Sequence, residues 1–268
     1  MLRTRSPVRL LTLEDRDAAL ELCARDPAAN VYVASRILDG ALGLHGWQWL
    51  FLLEAAPSIL LACAGLQRLG LDARIRAAVE GIDVDDVTLE LDLTTGPETF
   101  GSRSQVRFRA RQAGETFLDC QAVRVTAISL DGEPLPLEVW AEGRIPLEVA
   151  EGEHVVEVHA VMPYSREGVG LHRLTDPADG QDYVWSNLAL DAAPRVLACF
   201  DQPDLKPEWE ISVVAPSAWT VVSNGDLVTS TPAEGADGVR HVFSRTRRFP
   251  TYVAAVCAGP WASEATTH

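Results

Sequence analysis

Histidine, cysteine and acidic side chains are where hydrolytic or metal chemistry would have to start. Their densest grouping in this chain is Glu153-His154-Val155-Val156-Glu157-Val158-His159. A helical zinc site needs two histidines one turn apart, at i and i+4, with a glutamate between them as general base. Here the alternating valines read as a strand. Period two then sends His154 to one face and Glu157 and His159 to the other. Two ligands on one face bind a metal weakly, and a solvated strand face is the preferred reading. His45, His172 and His241 stand alone in the sequence, so no metal is expected on this chain.

Nucleophilic chemistry has as little to build on. There is no Gly-x-Ser-x-Gly, and none of the five cysteines (Cys23, Cys63, Cys120, Cys199, Cys257) has a histidine close by or a partner at Cys-x-x-Cys spacing. Scattered thiols of this kind read as small buried hydrophobes in a reducing compartment. Cys199 is therefore expected in the core. Asp201 and Asp204, which flank Gln202-Pro203, are expected to cap a turn through their own backbone.

The whole chain sets the context for these residues. Its 268 residues are 47% hydrophobic and 23% charged, which is a globular composition. Thirty-eight acidic against 23 basic side chains give a formal charge of −15. A surface of that sign repels phosphate, so nucleic acid and anionic membranes are disfavoured partners. The apolar stretch 47–66 has the length of a membrane span, but Glu54 and Pro57 fall near its middle. It reads better as two short strands, 49–53 and 59–63, around a turn. No apolar segment follows the basic N-terminus as a secretory signal requires, so a cytoplasmic protein is expected.

The elements that would position a site divide near residue 70. Residues 1–66 read as a small α/β module: a short strand, a helix capped by Thr12, a second helix with Pro27 in its first turn, and the strand pair above. Residues 67–83 read as a helical linker. From 84 onward the texture is alternation, with Val87, Leu89, Leu91 and Leu93 on one face, and again with Val106, Phe108 and Ala110, with Ile145, Leu147 and Val149, and with Val156, Val158 and Ala160. Turn signals separate the runs at Gly96-Pro97, Asp131-Gly132, Glu142-Gly143, Glu151-Gly152 and Asn224-Gly225. The fold class expected is α+β in two domains, the second, 84–268, a large antiparallel β-sandwich.

Two resemblances attach to these parts. The string CARDPAANVYVASRI (23–37) resembles the small module preceding GNAT-type acetyltransferase domains in some bacterial proteins. The Gly-rich acetyl-CoA loop of those enzymes has no match in the sequence, so no pyrophosphate cradle is expected. The β region resembles the N-terminal domain of the aminopeptidase N family of zinc aminopeptidases. It does so through LDLTTGPETFGSRSQVRFR (91–109), GLHRLTDPADGQDYV (170–184), RVLACFDQPDLKPEWEISVVAPSAWTVVSNG (195–225) and TYVAAVCAGPW (251–261). The resemblance implies a saddle-like β-sandwich that leans over a separate catalytic domain.

That family holds zinc on a His-Glu-x-x-His helix and pairs substrate with a Gly-x-Met-x-Asn loop, and neither is in this sequence. Any zinc is thus expected in a catalytic domain these residues do not include. The family's N-terminal domain anchors the substrate's α-amino group with the Gln and Glu of Tyr-x-x-Thr-Gln-x-Glu. The matching string here runs from Tyr183 to Ala189, which puts Asn187 at the Gln position and Ala189 at the Glu position. Asn187 keeps an amide one methylene shorter, and Ala189 loses the carboxylate that would pair with an ammonium. Two expectations follow. One is a non-catalytic chain, a truncated or degenerate relative that meets peptide N-termini weakly. The other is the N-terminal fragment of an active aminopeptidase whose zinc domain lies on another chain. The face at the closing strand, read as 252–257, and Trp261 is expected to meet a partner chain or a second copy, or to be covered by residues 1–66.

Overall fold

The computed structural model describes residues 81–261, apart from positions 190 and 236, and these belong to one unit spanning Ala78–His268. The α/β module read from residues 1–66 lies outside the described residues, as does the linker except at its end. There Gly81 takes φ +90 and the chain enters strand at Ile82, so the last two linker positions are strand and not helix. The cause is local: a left-handed glycine ends any helix, and Ile82 and Val84 already bury their side chains.

Fourteen strands follow: β1 Ile82–Asp92, β2 Thr99–Ala110, β3 Gly114–Asp119, β4 Arg124–Leu130, β5 Glu133–Pro134, β6 Arg144–Val149, β7 Gly152–Pro163, β8 Gly170–Thr175, β9 Asp182–Asn187, β10 Glu208–Ala215, β11 Thr220–Ser223, β12 Leu227–Pro232, β13 Val239–Phe243 and β14 Val256–Gly259. An eight-stranded sheet runs β12-β13-β10-β1-β2-β7-β4-β5, a four-stranded sheet β11-β14-β9-β8, and β3 pairs with β6. The large sheet is mixed. β1 and β10 run parallel, from Asp86 opposite Glu208 to Asp92 opposite Val214, which corrects the expectation of a purely antiparallel sandwich. Parallel neighbours need a long crossover, and here eight strands, β2 through β9, lie between β1 and β10.

Alternation decides which face is dry. Val87, Leu89 and Leu91 of β1, Val106 and Phe108 of β2, Val156 and Val158 of β7, and Trp209, Ile211 and Val213 of β10 are all buried. They join Leu171, Val184, Val256 and Ala258 of the small sheet in one core cluster. The opposite face of the large sheet is a ladder of ion pairs. Arg103 bridges Glu90 and Glu157, Arg240 reaches Glu90, and Arg245 reaches Asp86, Glu208 and Glu210. Each exposed pair adds little, typically under about 1 kcal/mol, but together they keep this face wet.

Turn chemistry matches the sequence signals. Asp131 (φ 54) and Gly132 (φ 82) form the two left-handed positions of a tight hairpin between β4 and β5. One boundary differs from the reading above. Thr251–Val253 is a single 3-10 turn, and the closing strand starts only at Val256. Pro250 at the turn's head and the Asn224 amide bonded to Val253 O and Ala255 N–H hold that stretch off the sheet.

Candidate functional site

Hairpin β8–β9 carries the positions singled out above. Its register pairs Gly170 with Asn187 and Thr175 with Asp182. Arg173 fastens its middle, donating to Asp182 Oδ2 at 2.7 Å and to Gly96 O at 2.9 Å. The Thr175 hydroxyl and Arg173 together hold the Asp182 carboxyl below its ordinary range. Behind β9, Ser186 Oγ accepts from Val256 N–H, which ties the hairpin to β14.

At the far end of β9 the side chains alternate cleanly: Asn187 exposed, Leu188 buried, Ala189 exposed. Positions 187 and 189 thus share the solvent side, while Leu188 anchors the chain in the core. Asn187 Nδ2 donates to Gly168 O at 2.9 Å and its Oδ1 accepts from Ala189 N–H at 3.4 Å. That uses part of the amide and leaves one donor hydrogen and further acceptor capacity for a ligand. Ala189 offers a methyl group and no charge.

Beside this strand end opens a cleft of about 320 Å³, lined by the β7–β8 connection (Pro163–Arg166, Glu167, Val169), by Gly170 and Leu171, and by Arg195. Gly170 adopts φ +84, and a Cβ there would sit 3.3 Å from Arg195 Cβ. A bare backbone at 170 is what lets the arginine stem lie against it. Arg195 closes a short 3-10 turn, Ala193–Arg195, in a segment (192–200) whose every other residue is buried. Nothing in the motif reading pointed to Arg195. The signal was there, however, as a lone charge inside an otherwise apolar run, opposite Gly168-Val169-Gly170.

The other sequence-derived candidates resolve as follows. His154 is buried between Asp131 and the Ala150 carbonyl, while His159 and Glu157 lie on the wet face, hydrogen-bonded to each other at 2.6 Å. Glu157 also accepts from Arg103, and these bonds lower its pKa to about 2. Among the described residues no group of three or more His, Cys, Asp or Glu side chains is arranged to hold a metal ion. The donors present do not fit the zinc that the resemblance implies, because each histidine of the cluster is committed to a protein partner. Cys199 is fully buried, and burial pushes its thiol well above the ordinary value, the opposite of an activated nucleophile.

Asp201 departs from its expected role. Its Oδ1 accepts from the Thr251 hydroxyl fifty residues away and caps no turn of its own, and Asp204 is exposed. Burial pushes the Asp201 carboxyl up to about 6. The reason is placement: position 201 follows the buried run 192–200 and turns its side chain toward the 3-10 turn at 251.

Comparison with known proteins bears on this geometry directly. The Peptidase M1 N-terminal domain matches residues 85–253, β1 through the 3-10 turn, with the strand end and cleft inside. The chain belongs to this family. Aminopeptidase N of Streptomyces lividans is 39% identical over 197 residues, 72% of this chain and 22% of that protein. A probable M1 family aminopeptidase 1 of Encephalitozoon cuniculi is 32% identical over 36% of this chain and 11% of its own length. Human aminopeptidase Q is 30% identical over 34% of this chain and 9% of its own. The chain therefore spans about a fifth of the first of these relatives. No helix among the described residues is long and apolar enough to cross a membrane.

Proposed function

We propose that this M1-family domain is a peptide-facing, non-catalytic wall: it meets the amino-terminal end of a peptide at the end of β9 and performs no hydrolysis alone. The observation that carries this is the pairing of positions 187 and 189 on one exposed side, above a buried Leu188 and beside an open cleft. Asn187 presents an amide acceptor to an ammonium, and Ala189 presents nothing. A charge-assisted bond of the missing kind is worth about 1.5–3 kcal/mol, so amine anchoring here is weak. In this reading the residues that would hold zinc belong to a separate catalytic domain, and the described residues are assigned no cofactor.

A second reading makes the chain the N-terminal part of an active aminopeptidase whose zinc domain is supplied separately. It is favoured by the 39% identity to a 197-residue stretch, 22% of the length, of Aminopeptidase N of Streptomyces lividans. Exposed Val222, Val253 and Trp261, on and around the small sheet, suit a face that another domain or chain covers.

One experiment tests the first reading. The purified chain is assayed with added zinc on alanine and leucine anilides, alone and with Asn187→Gln/Ala189→Glu. No turnover by either protein, with weak peptide binding that tightens roughly tenfold in the double variant, is the expected result. Zinc-dependent turnover by the chain alone would overturn the first reading.

A further inference from the structure

We propose that the cleft beside Asn187 receives a carboxylate, so that the peptides favoured at this strand end carry a negative charge near the amino terminus. The inference rests on reading the end of β9 as peptide-facing. Its own support is the state of Arg195. In a chain with 38 acidic side chains against 23 basic ones, Arg103, Arg144, Arg173, Arg240, Arg245 and Arg248 are each paired with a carboxylate. Arg195, like Arg124 and Arg247, has no ion pair and no side-chain hydrogen bond among the described residues, but of these three it is the one that lines the cleft.

Arg195 is also placed with care. It is the one exposed residue of 192–200, its stem is seated on the bare backbone of Gly170, and it lines the cleft. A guanidinium presents a planar fork of donors that matches a carboxylate, which an ammonium does not. The second cation of the cleft, Arg166, is partly spent. It donates to Arg173 O at 3.2 Å and reaches Glu98 at 3.3 Å, which fixes it at the rim.

The opposing charges are Glu167 in the lining and exposed Asp191, whose N–H donates to Ala189 O; neither pairs with Arg195. With Arg166 balanced by Glu98, Arg195 is the guanidinium of the lining left without a carboxylate partner. Ala189 adds to this, since a glutamate there would set a negative charge on the same side of the strand end. The substitutions that weaken ammonium anchoring thus leave a site whose remaining charge suits an anion.

The carboxylate has two possible sources, an acidic side chain or the C-terminus of a very short peptide. The test titrates three peptides into the isotope-labelled full chain by NMR at low salt: Ala-Ala-Ala amide, Ala-Glu-Ala amide, and Ala-Ala-Ala with a free carboxyl. Either carboxylate should tighten binding about fivefold over the neutral amide, and the tighter of the two names the source. Arg195→Gln, at an exposed position, should erase that preference, and Glu167→Gln should enlarge it. Equal binding of all three, or a preference that survives Arg195→Gln, would overturn the proposal. Acetylating the amino terminus separates it from the reading beneath. An acetylated acidic peptide whose binding still depends on Arg195 keeps the cleft and removes amine anchoring. Binding that needs only the free amine does the reverse, and no binding of any peptide removes both.

Discussion

Both ring nitrogens of His154 face acceptors: Nδ1 meets Asp131 Oδ2 at 2.7 Å and Nε2 meets the Ala150 carbonyl at 2.9 Å. A neutral imidazole donates only once, so the imidazolium alone satisfies both contacts. Burial pulls its pKa down, but the Asp131 carboxylate and the Ala150 carbonyl outweigh that and leave it raised above 6.5. The sign follows from linkage. A folded pKa above the unfolded one gives stability that is complete below about 6.5 and is lost as pH rises through the folded value. His172 and His241 act in the other direction, since burial lowers both pKa values; their contribution is lost as pH falls. The comparison must therefore be between proteins. Urea midpoints of the native chain and of His154→Asn, measured from about pH 5.5 to pH 8.5, should converge as pH rises. A constant gap across that range would show that His154 is neutral and merely packed.

At the scale of elements, glycines divide into those that make a turn and those that fill a place. Gly132 sits at φ +82 in the β4–β5 hairpin, and a Cβ there would meet nothing within 4 Å. Gly114, at the head of β3, also has open space but needs no left-handed backbone. Crowding is equal in the two cases, so only conformation separates them. Gly132→Ala should cost about 1–2 kcal/mol, while Gly114→Ala should be neutral to within about 0.5 kcal/mol. Thermal or urea unfolding of the two variants checks this, and equal effects would refute the left-handed turn. This kind of element was open to reading in advance. Asp131-Gly132 and Glu142-Gly143 are turn dipeptides, and the β7 string alternates from Val156 to Ala160. The parallel β1–β10 pair was not, because alternation fixes which face is buried and says nothing of a neighbour more than a hundred residues away. Arg195 escaped for a related reason: its role comes from the backbone of Gly170 on another element, which no local spacing encodes.

At the scale of the whole molecule, what matters is whether the β-domain needs the first 77 residues to stand. The described core lies between Ile82 and Ala258, nearly all of it in a single cluster. Its largest members, Trp209, Phe100 and Phe108, are wholly buried by partners inside the same domain. Trp209 stacks on Phe249 with ring centroids 5.5 Å apart and donates its Nε1–H to the Phe249 carbonyl at 3.0 Å. Phe108 meets Phe200 edge-on at 5.1 Å. A domain that buries its aromatic residues with its own side chains and pairs its strands internally meets the conditions for independent folding, with a stability on the order of 5–15 kcal/mol. A fragment of residues 78–268 should therefore unfold in one cooperative urea transition. Tryptophan emission should shift to the red as Trp209 enters water, at the same midpoint as the loss of the circular-dichroism strand signal. The −15 formal charge belongs to the full chain, so the fragment is best compared at moderate ionic strength, where self-repulsion is screened. Phe108→Ala in the fragment should lower the free energy of unfolding by about 3–5 kcal/mol, the cost of a large void in a packed core. A fragment that is protease-sensitive and lacks a cooperative transition, while the full chain has one, would show that residues 1–77 complete the core, and the two-domain reading would fall.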